Sequence, residues 1–154
     1  MKSNQIISKN IFNNHAFQTE KEADSFEKKA ENLIHSLTKT FLQEAKAALS
    51  NMHHILDNLS YLNETEKARL IQTSFFKSAH DLKGQGETYG YPLITRVAAH
   101  LCEQIKRKKN YSQKNIQSFK LDVMDMEALI QEPPHHQNIK LEKRIWDRLE
   151  CNNE

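Results

Sequence analysis

The stretch that decides the fold is residues 63–92, NETEKARLIQTSFFKSAHDLKGQGETYGYP. Asn63 is an N-cap type, and Glu64 and Glu66 place carboxylates where the positive end of a helix dipole favours them. Leu70, Ile71, Phe75, Ser78, Ala79 and Leu82 then recur at helical spacing, the inner stripe of an amphipathic helix. The stretch closes on Gly84, Gly86 and Gly90, all the glycines that the 154-residue chain possesses. Gly90 suits a left-handed helix C-cap, and Pro92 suits the first position of the next helix. The segment therefore reads as a helix, a tight turn and the start of a second helix.

The same period extends outward in both directions. Upstream, Leu42, Ala45, Leu49, Met52, Leu56 and Leu59 alternate steps of three and four. Downstream, Leu93, Ile94, Val97, Ala98, Leu101 and Ile105 form one stripe. Behind a Ser112 cap, Ile116, Phe119, Val123, Met126 and Ile130 form another, ended by Pro133-Pro134. Thr19-Glu20-Lys21-Glu22 matches a capping box, and Ala23, Phe26, Ala30, Leu33, Ile34 and Leu37 follow it. Ser36, Thr38 and Thr40 cluster next, and Thr40–Gln43 is a second capping-box match, so a break is expected near 36–40. A short amphipathic piece, Ile139 to Leu149, carries Leu141, Ile145, Trp146 and Leu149, with Trp146 expected to anchor it. No useful stretch alternates with period two, and three glycines and three prolines leave little material for the turns of an all-β fold. The expected fold is all-α: an antiparallel four-helix bundle with an additional N-terminal helix and a short C-terminal helix. Residues 1–19 read as a flexible tail, 20–132 as the bundle and 133–154 as a C-terminal extension.

Charge excludes several functions. Lys and Arg total 22 against 20 Asp and Glu. Residues 1–80 carry 10 basic and 9 acidic groups and residues 81–154 carry 12 and 11, so each part is net +1. Nothing marks a nucleic-acid binder, and Lys106-Arg107-Lys108-Lys109 reads as cations at a helix C-terminus. His53-His54 and His135-His136 have no third ligand at matching spacing, and neighbours on a helix face apart, so no metal site is expected. Cys102 and Cys151 are too few for a disulfide framework. With no apolar run of about 18–20 residues and no signal-peptide pattern, the chain reads as cytoplasmic and without membrane association. Its polar outer faces suit a monomer.

The chemistry gathers around His80. At about 100° per residue, His80 points away from Ile71, Phe75 and Leu82. Thr73, Phe76, Lys77, Lys83, Gly84 and Glu87 lie within about 60° of it. An imidazole that titrates near neutral pH keeps a nitrogen free for nucleophilic attack. Lys77 and Lys83 would attract a phosphoryl group, and Gly84, one turn on, leaves the ring open to a large partner. Gly86 faces inward and would permit close packing. No phosphate-binding glycine loop accompanies the site, so a phosphoryl donor has to be another protein.

The run Ala79-His80-Asp81-Leu82-Lys83-Gly84 followed by Gly90 resembles the signature of histidine-containing phosphotransfer (HPt) domains of bacterial two-component phosphorelays. The likeness covers roughly residues 24–130. It implies a four-helix bundle that is not an enzyme and carries a phosphoryl group between receiver-domain aspartates. By position, His80 would be the phosphorylated nucleophile through Nε2 and Lys83 would steady the phosphoryl group. Thr73, Phe76, Lys77, Gly84 and Glu87 would meet the docking receiver. The receiver would bring its own magnesium, so no cofactor is implied here. The partners implied are receiver domains of response regulators or hybrid kinases. The position from which the family orients its histidine falls near Cys102 and Glu103. Two other readings stand beside this one. A helical scaffold would leave His80 unphosphorylated. The dimerisation and phospho-acceptor module of a sensor kinase would need an ATP-binding domain that 154 residues do not contain, and it has Gln85 where that motif has proline.

Overall fold

The computed structural model describes residues 20–151, and the chain divides into two compact units, Met1–Thr40 and Phe41–Glu154. The expected 1–19 tail and its Thr19 cap lie outside the described residues. Among those described there is helix and no strand. The elements are α1 (Glu20–Asn58), α2 (Glu64–Leu70), α3 (Phe76–Gln85), α4 (Pro92–Lys106), α5 (Gln113–Ile130) and α6 (Ile139–Cys151). A π-helical turn, Ile71–Phe75, joins α2 to α3 without interruption.

The break expected at 36–40 is absent, because α1 runs unbroken for 39 residues. Thr38 Oγ1 donates to the Ile34 carbonyl at 2.9 Å and Thr40 Oγ1 to the Ser36 carbonyl at 3.1 Å. Hydroxyls that bond back four residues are satisfied inside a helix and need not cap a new one. Thr40 is therefore no N-cap, and the additional N-terminal helix is the first part of α1. In the first unit this part keeps Phe26, Leu33, Ile34 and Leu37 exposed.

In the second unit the all-α bundle is built as the stripes require. Phe41, Ala45, Leu49, Met52, Ile55 and Leu56 of α1 are buried; Leu42 is only half-buried, so the buried face is turned slightly from the expected stripe. Ile71 and Phe75 of the π turn, Ala79 and Leu82 of α3, and all six stripe residues of α4 join them. From α5 come Ile116, Phe119, Val123, Met126 and Ile130. The Phe119 ring lies 5.8 Å from both Phe75 and Tyr111, and Phe41 stacks on Tyr89 at 4.9 Å, spacings of favourable aromatic pairs. Helix starts follow their caps. Asn63 accepts from Glu66 N at 2.9 Å while Glu66 Oε2 accepts from Asn63 N at 3.3 Å. Ser112 and Asn115 repeat this reciprocal box at α5.

The C-terminal helix is held in a way that its apolar stripe does not anticipate. Ile145 and Leu149 are buried, whereas Trp146 is 41% exposed and lies under the Arg96 guanidinium at 5.8 Å. The stronger tie is ionic. Asp122 and Asp125 sit on the inner side of α5. Arg148 reaches Asp122 Oδ1 at 2.7 Å and Asp125 Oδ2 at 2.6 Å, Arg144 reaches Asp125 Oδ1 at 2.7 Å, and His100 Nδ1 of α4 lies 3.2 Å from Asp122 Oδ2. Burial opposes the Arg148 charge, but the two aspartates outweigh it and hold the guanidinium pKa above its ordinary value. Among the described residues no helix is long and apolar enough to cross a membrane.

Candidate functional site

α3 presents two faces of opposite character. Ala79 and Leu82 lock it into the core, and His80, one residue after Ala79, is thereby turned outward and exposed. Lys77, Asp81, Lys83 and Gly84 are exposed with it, and Phe76 is half-buried. The Phe76 and His80 rings lie 5.9 Å apart with their planes at 33°. His80 is exposed, and no hydrogen bond to either of its ring nitrogens occurs among the described residues.

The two lysines differ. Lys77 Nζ is 2.6 Å from Asp81 Oδ2, an exposed i,i+4 pair that spends part of its charge. Lys83 has no carboxylate partner among the described residues, which leaves its ammonium available. A third cation comes from α4, where Lys106 Nζ lies 5.4 Å from the centre of the Phe76 ring. The Phe76 ring is thus shared by the His80 imidazole and the Lys106 ammonium, an attractive arrangement for a cation and an aromatic face. Sequence reading gave Lys106 to the end of its helix; its i+4 spacing from Cys102 on α4 was the signal that could have placed it here.

The glycines have different geometries. At Gly84 an added Cβ would meet nothing within 4 Å, so the surface one turn beyond His80 is clear. At Gly86 an added Cβ would lie 2.8 Å from Thr95 Oγ1, 3.0 Å from Thr95 N and 3.0 Å from the Tyr91 carbonyl oxygen. That proximity is where the turn closes. Thr95 Oγ1 donates to the Lys83 carbonyl at 3.2 Å and accepts from Glu87 N at 2.9 Å, and Tyr91 N donates to the Gly86 carbonyl at 2.8 Å. Gly90 has φ +88°, a left-handed conformation that favours glycine, and Pro92 opens α4. His135 N donates to the Gly90 carbonyl at 2.9 Å, so the segment after α5 is clasped to this turn.

The other predicted residues are placed less centrally. Thr73 lies in the π turn, where its hydroxyl donates to the Arg69 carbonyl at 2.7 Å. Glu87 is exposed in the turn that follows α3. Cys102 is buried on α4, and burial pushes its thiol pKa up, opposed by the nearby Lys83 and Lys106 ammonium groups. Glu103 is exposed and pairs with Arg107 at 3.4 Å. Neither Cys102 nor Glu103 hydrogen-bonds His80. Asn51 of α1 reaches Ser74 and Ser78 at 3.5 Å, polar contacts that tie the rear of the site helix to α1.

His53 pairs with Glu127 at 2.9 Å and His136 with Glu132 at 3.4 Å. Among the described residues no three His, Cys, Asp or Glu side chains converge to hold a metal ion. Compared with protein-family models, curated proteins and solved structures, the chain matches none.

Proposed function

We propose that the protein is a histidine phosphotransfer carrier that accepts a phosphoryl group on His80 from a phospho-aspartyl receiver domain and passes it to another. One observation carries the reading. An exposed imidazole with no internal hydrogen bond stands beside an uncommitted lysine and a glycine whose missing side chain leaves the approach clear.

The chemistry is a displacement at phosphorus. The Nε2 lone pair of neutral His80 attacks, the N–P bond forms, the aspartyl O–P bond breaks, and the carboxylate leaves with the bonding pair. The proton on Nδ1 stays where it was. The reverse step, with a second receiver's carboxylate as nucleophile, returns the chain to its starting state. Charge develops on the phosphoryl oxygens, and a positioned ammonium stabilises it, the role given to Lys83. Magnesium would enter with the receiver. Phe76 offers an apolar surface beside the nucleophile, and Lys106 adds positive charge at its edge. The donor makes nucleotide binding by this chain unnecessary, which classes it as a carrier and not an enzyme.

The test is phosphotransfer profiling. Purified receiver domains from the source organism, each phosphorylated on aspartate, are mixed with the full chain and with the His80→Gln variant. At least one receiver should label the native chain within seconds to minutes, the variant should remain unlabelled, and Lys83→Ala should label at a reduced rate. Labelling of His80→Gln to the native level would overturn the reading, as would labelling by ATP alone.

A further inference from the structure

Nine large hydrophobic side chains are exposed among the described residues, and four of them, Phe26, Leu33, Ile34 and Leu37, fall within twelve positions of α1. Leu33 and Ile34 are 60% and 62% exposed. Single exposed hydrophobics need no explanation, but a contiguous stripe marks an interaction surface. With Ala23, Ala30 and Thr40 the stripe repeats at 23, 26, 30, 33, 37 and 40, alternating steps of three and four. This is the a/d pattern of a coiled coil, with Ile34 flanking it.

From this pattern we infer that residues 23–40 of α1 pair with the same segment of a second copy of this chain, antiparallel. The side-chain sizes select both the occupant and its direction. When residue i lies opposite residue 63 − i of the other copy, Phe26 meets Leu37, Ala30 meets Leu33 and Ala23 meets Thr40. Every layer then joins a smaller residue to a larger one, the interdigitation that a packed interface needs. A parallel pair would set Ala30 against Ala30 and Phe26 against Phe26, alternating voids with crowding. Charge agrees with this arrangement. The flanking Glu27 faces Ser36 of the other copy and Lys29 faces Ile34, so no like charges meet. The two-fold operation makes the patch self-complementary, the commonest form of a homodimer. The helix is already formed, so pairing does not have to order it. Two and a half heptads fall short of the roughly three to four of a sustained coiled coil, so the dimer is reversible. The stripe thus argues for a dimer where the polar outer faces suggested a monomer.

The full chain tests this by sedimentation velocity from about 1 to 300 μM, with circular dichroism as the control for folding. The native chain should shift from monomer toward dimer across the range, and a Leu33→Glu/Leu37→Glu variant should remain monomeric with unchanged helicity. In a Cys151→Ser background, a short bis-maleimide should link Ala23→Cys chains to Thr40→Cys chains but not Ala23→Cys chains to each other. A native chain that stays monomeric throughout, as it would if residues 1–19 covered the stripe, overturns the inference. So does a dimer that survives Leu33→Glu/Leu37→Glu, or predominant linkage of Ala23→Cys to itself.

Discussion

Two glycines, two residues apart, should respond to alanine with opposite signs. Gly84→Ala adds a methyl group that meets nothing within 4 Å, in a helical backbone that alanine adopts freely. The change lowers the entropy of the unfolded chain and should stabilise by about 0.4–1 kcal/mol. At Gly86 the backbone is equally helical, with φ −53° and ψ −53°, so the same gain applies. The new carbon, however, meets Thr95 N and the Tyr91 carbonyl at 3.0 Å, and these backbone atoms cannot swing aside as a side chain would. Relief has to move the start of α4 against the turn and weaken the 2.8 Å bond from Tyr91 N to the Gly86 carbonyl. Overpacking of this kind costs about 1–3 kcal/mol, which leaves a net loss of roughly 1–2 kcal/mol. For a chain of this size 1 kcal/mol moves Tm by about 2–4 °C, so Gly86→Ala should melt roughly 2–8 °C lower and Gly84→Ala about 1–4 °C higher. Thermal unfolding followed at 222 nm, with urea titration as a second measure, decides the matter. Equal signs at the two sites, or a stabilised Gly86→Ala, would refute the packing argument. The functional corollary is that Gly84→Gln keeps native stability to within about 1 kcal/mol while phosphoryl acceptance from a receiver falls sharply.

Other perturbations have equally defined outcomes. Arg148→Met leaves Asp122 and Asp125 buried with fewer partners, and loss of about 3–5 kcal/mol is expected in denaturant titrations. Arg144→Ala, on a largely exposed side chain, should cost less than about 1 kcal/mol. Burial raises the Tyr111 phenol pKa, and its hydroxyl donates to the Ile105 carbonyl at 3.0 Å. The unfolded phenol therefore ionises first, so Tyr111 stabilises fully below pH ~10 and loses that contribution as pH rises further. Tyr111→Phe should be less stable than the native chain at pH 7 and lose less stability between pH 9 and 11, by parallel urea titrations. Ellman's reagent at pH 8 should modify exposed Cys151 quickly and buried Cys102 only at the rate of opening or unfolding; equal rates would contradict the burial of Cys102.

Local signals in the sequence were sufficient for most of the architecture. Asn63 and Ser112 cap helices because their bonds lie within three residues, and the stripes of α4 and α5 are buried because periodicity alone assigns a face. The outward turn of His80 follows in the same way from Ala79 and Leu82. The failures have a common cause, since each depends on which of two partners a polar group takes. Thr38 and Thr40 have the composition of a helix start, but their hydroxyls bond backward within α1. Asp122 and Asp125 interrupt the apolar face of α5, and only Arg144 and Arg148, about twenty residues on, make that interruption meaningful. Lys106 has the look of a dipole-facing cation until its reach to Phe76 is seen. The π turn left no trace, because Ile71, Phe75 and Ala79 fit an unbroken α-helical stripe as well as the observed one.

That π turn has a consequence for how the chain tolerates insertion and deletion. A five-residue turn holds one residue more than an α turn closes. Removing a single residue from Gln72–Ser74 would let the segment relax to ordinary α geometry. The registers of Glu64–Leu70 and Phe76–Gln85 would both be kept, because the residue removed is the one by which the π turn exceeds an α turn. The same deletion anywhere in Pro92–Lys106 would rotate a fully buried stripe out of the core. The turn therefore acts as a phase buffer, where length can vary by one without moving His80.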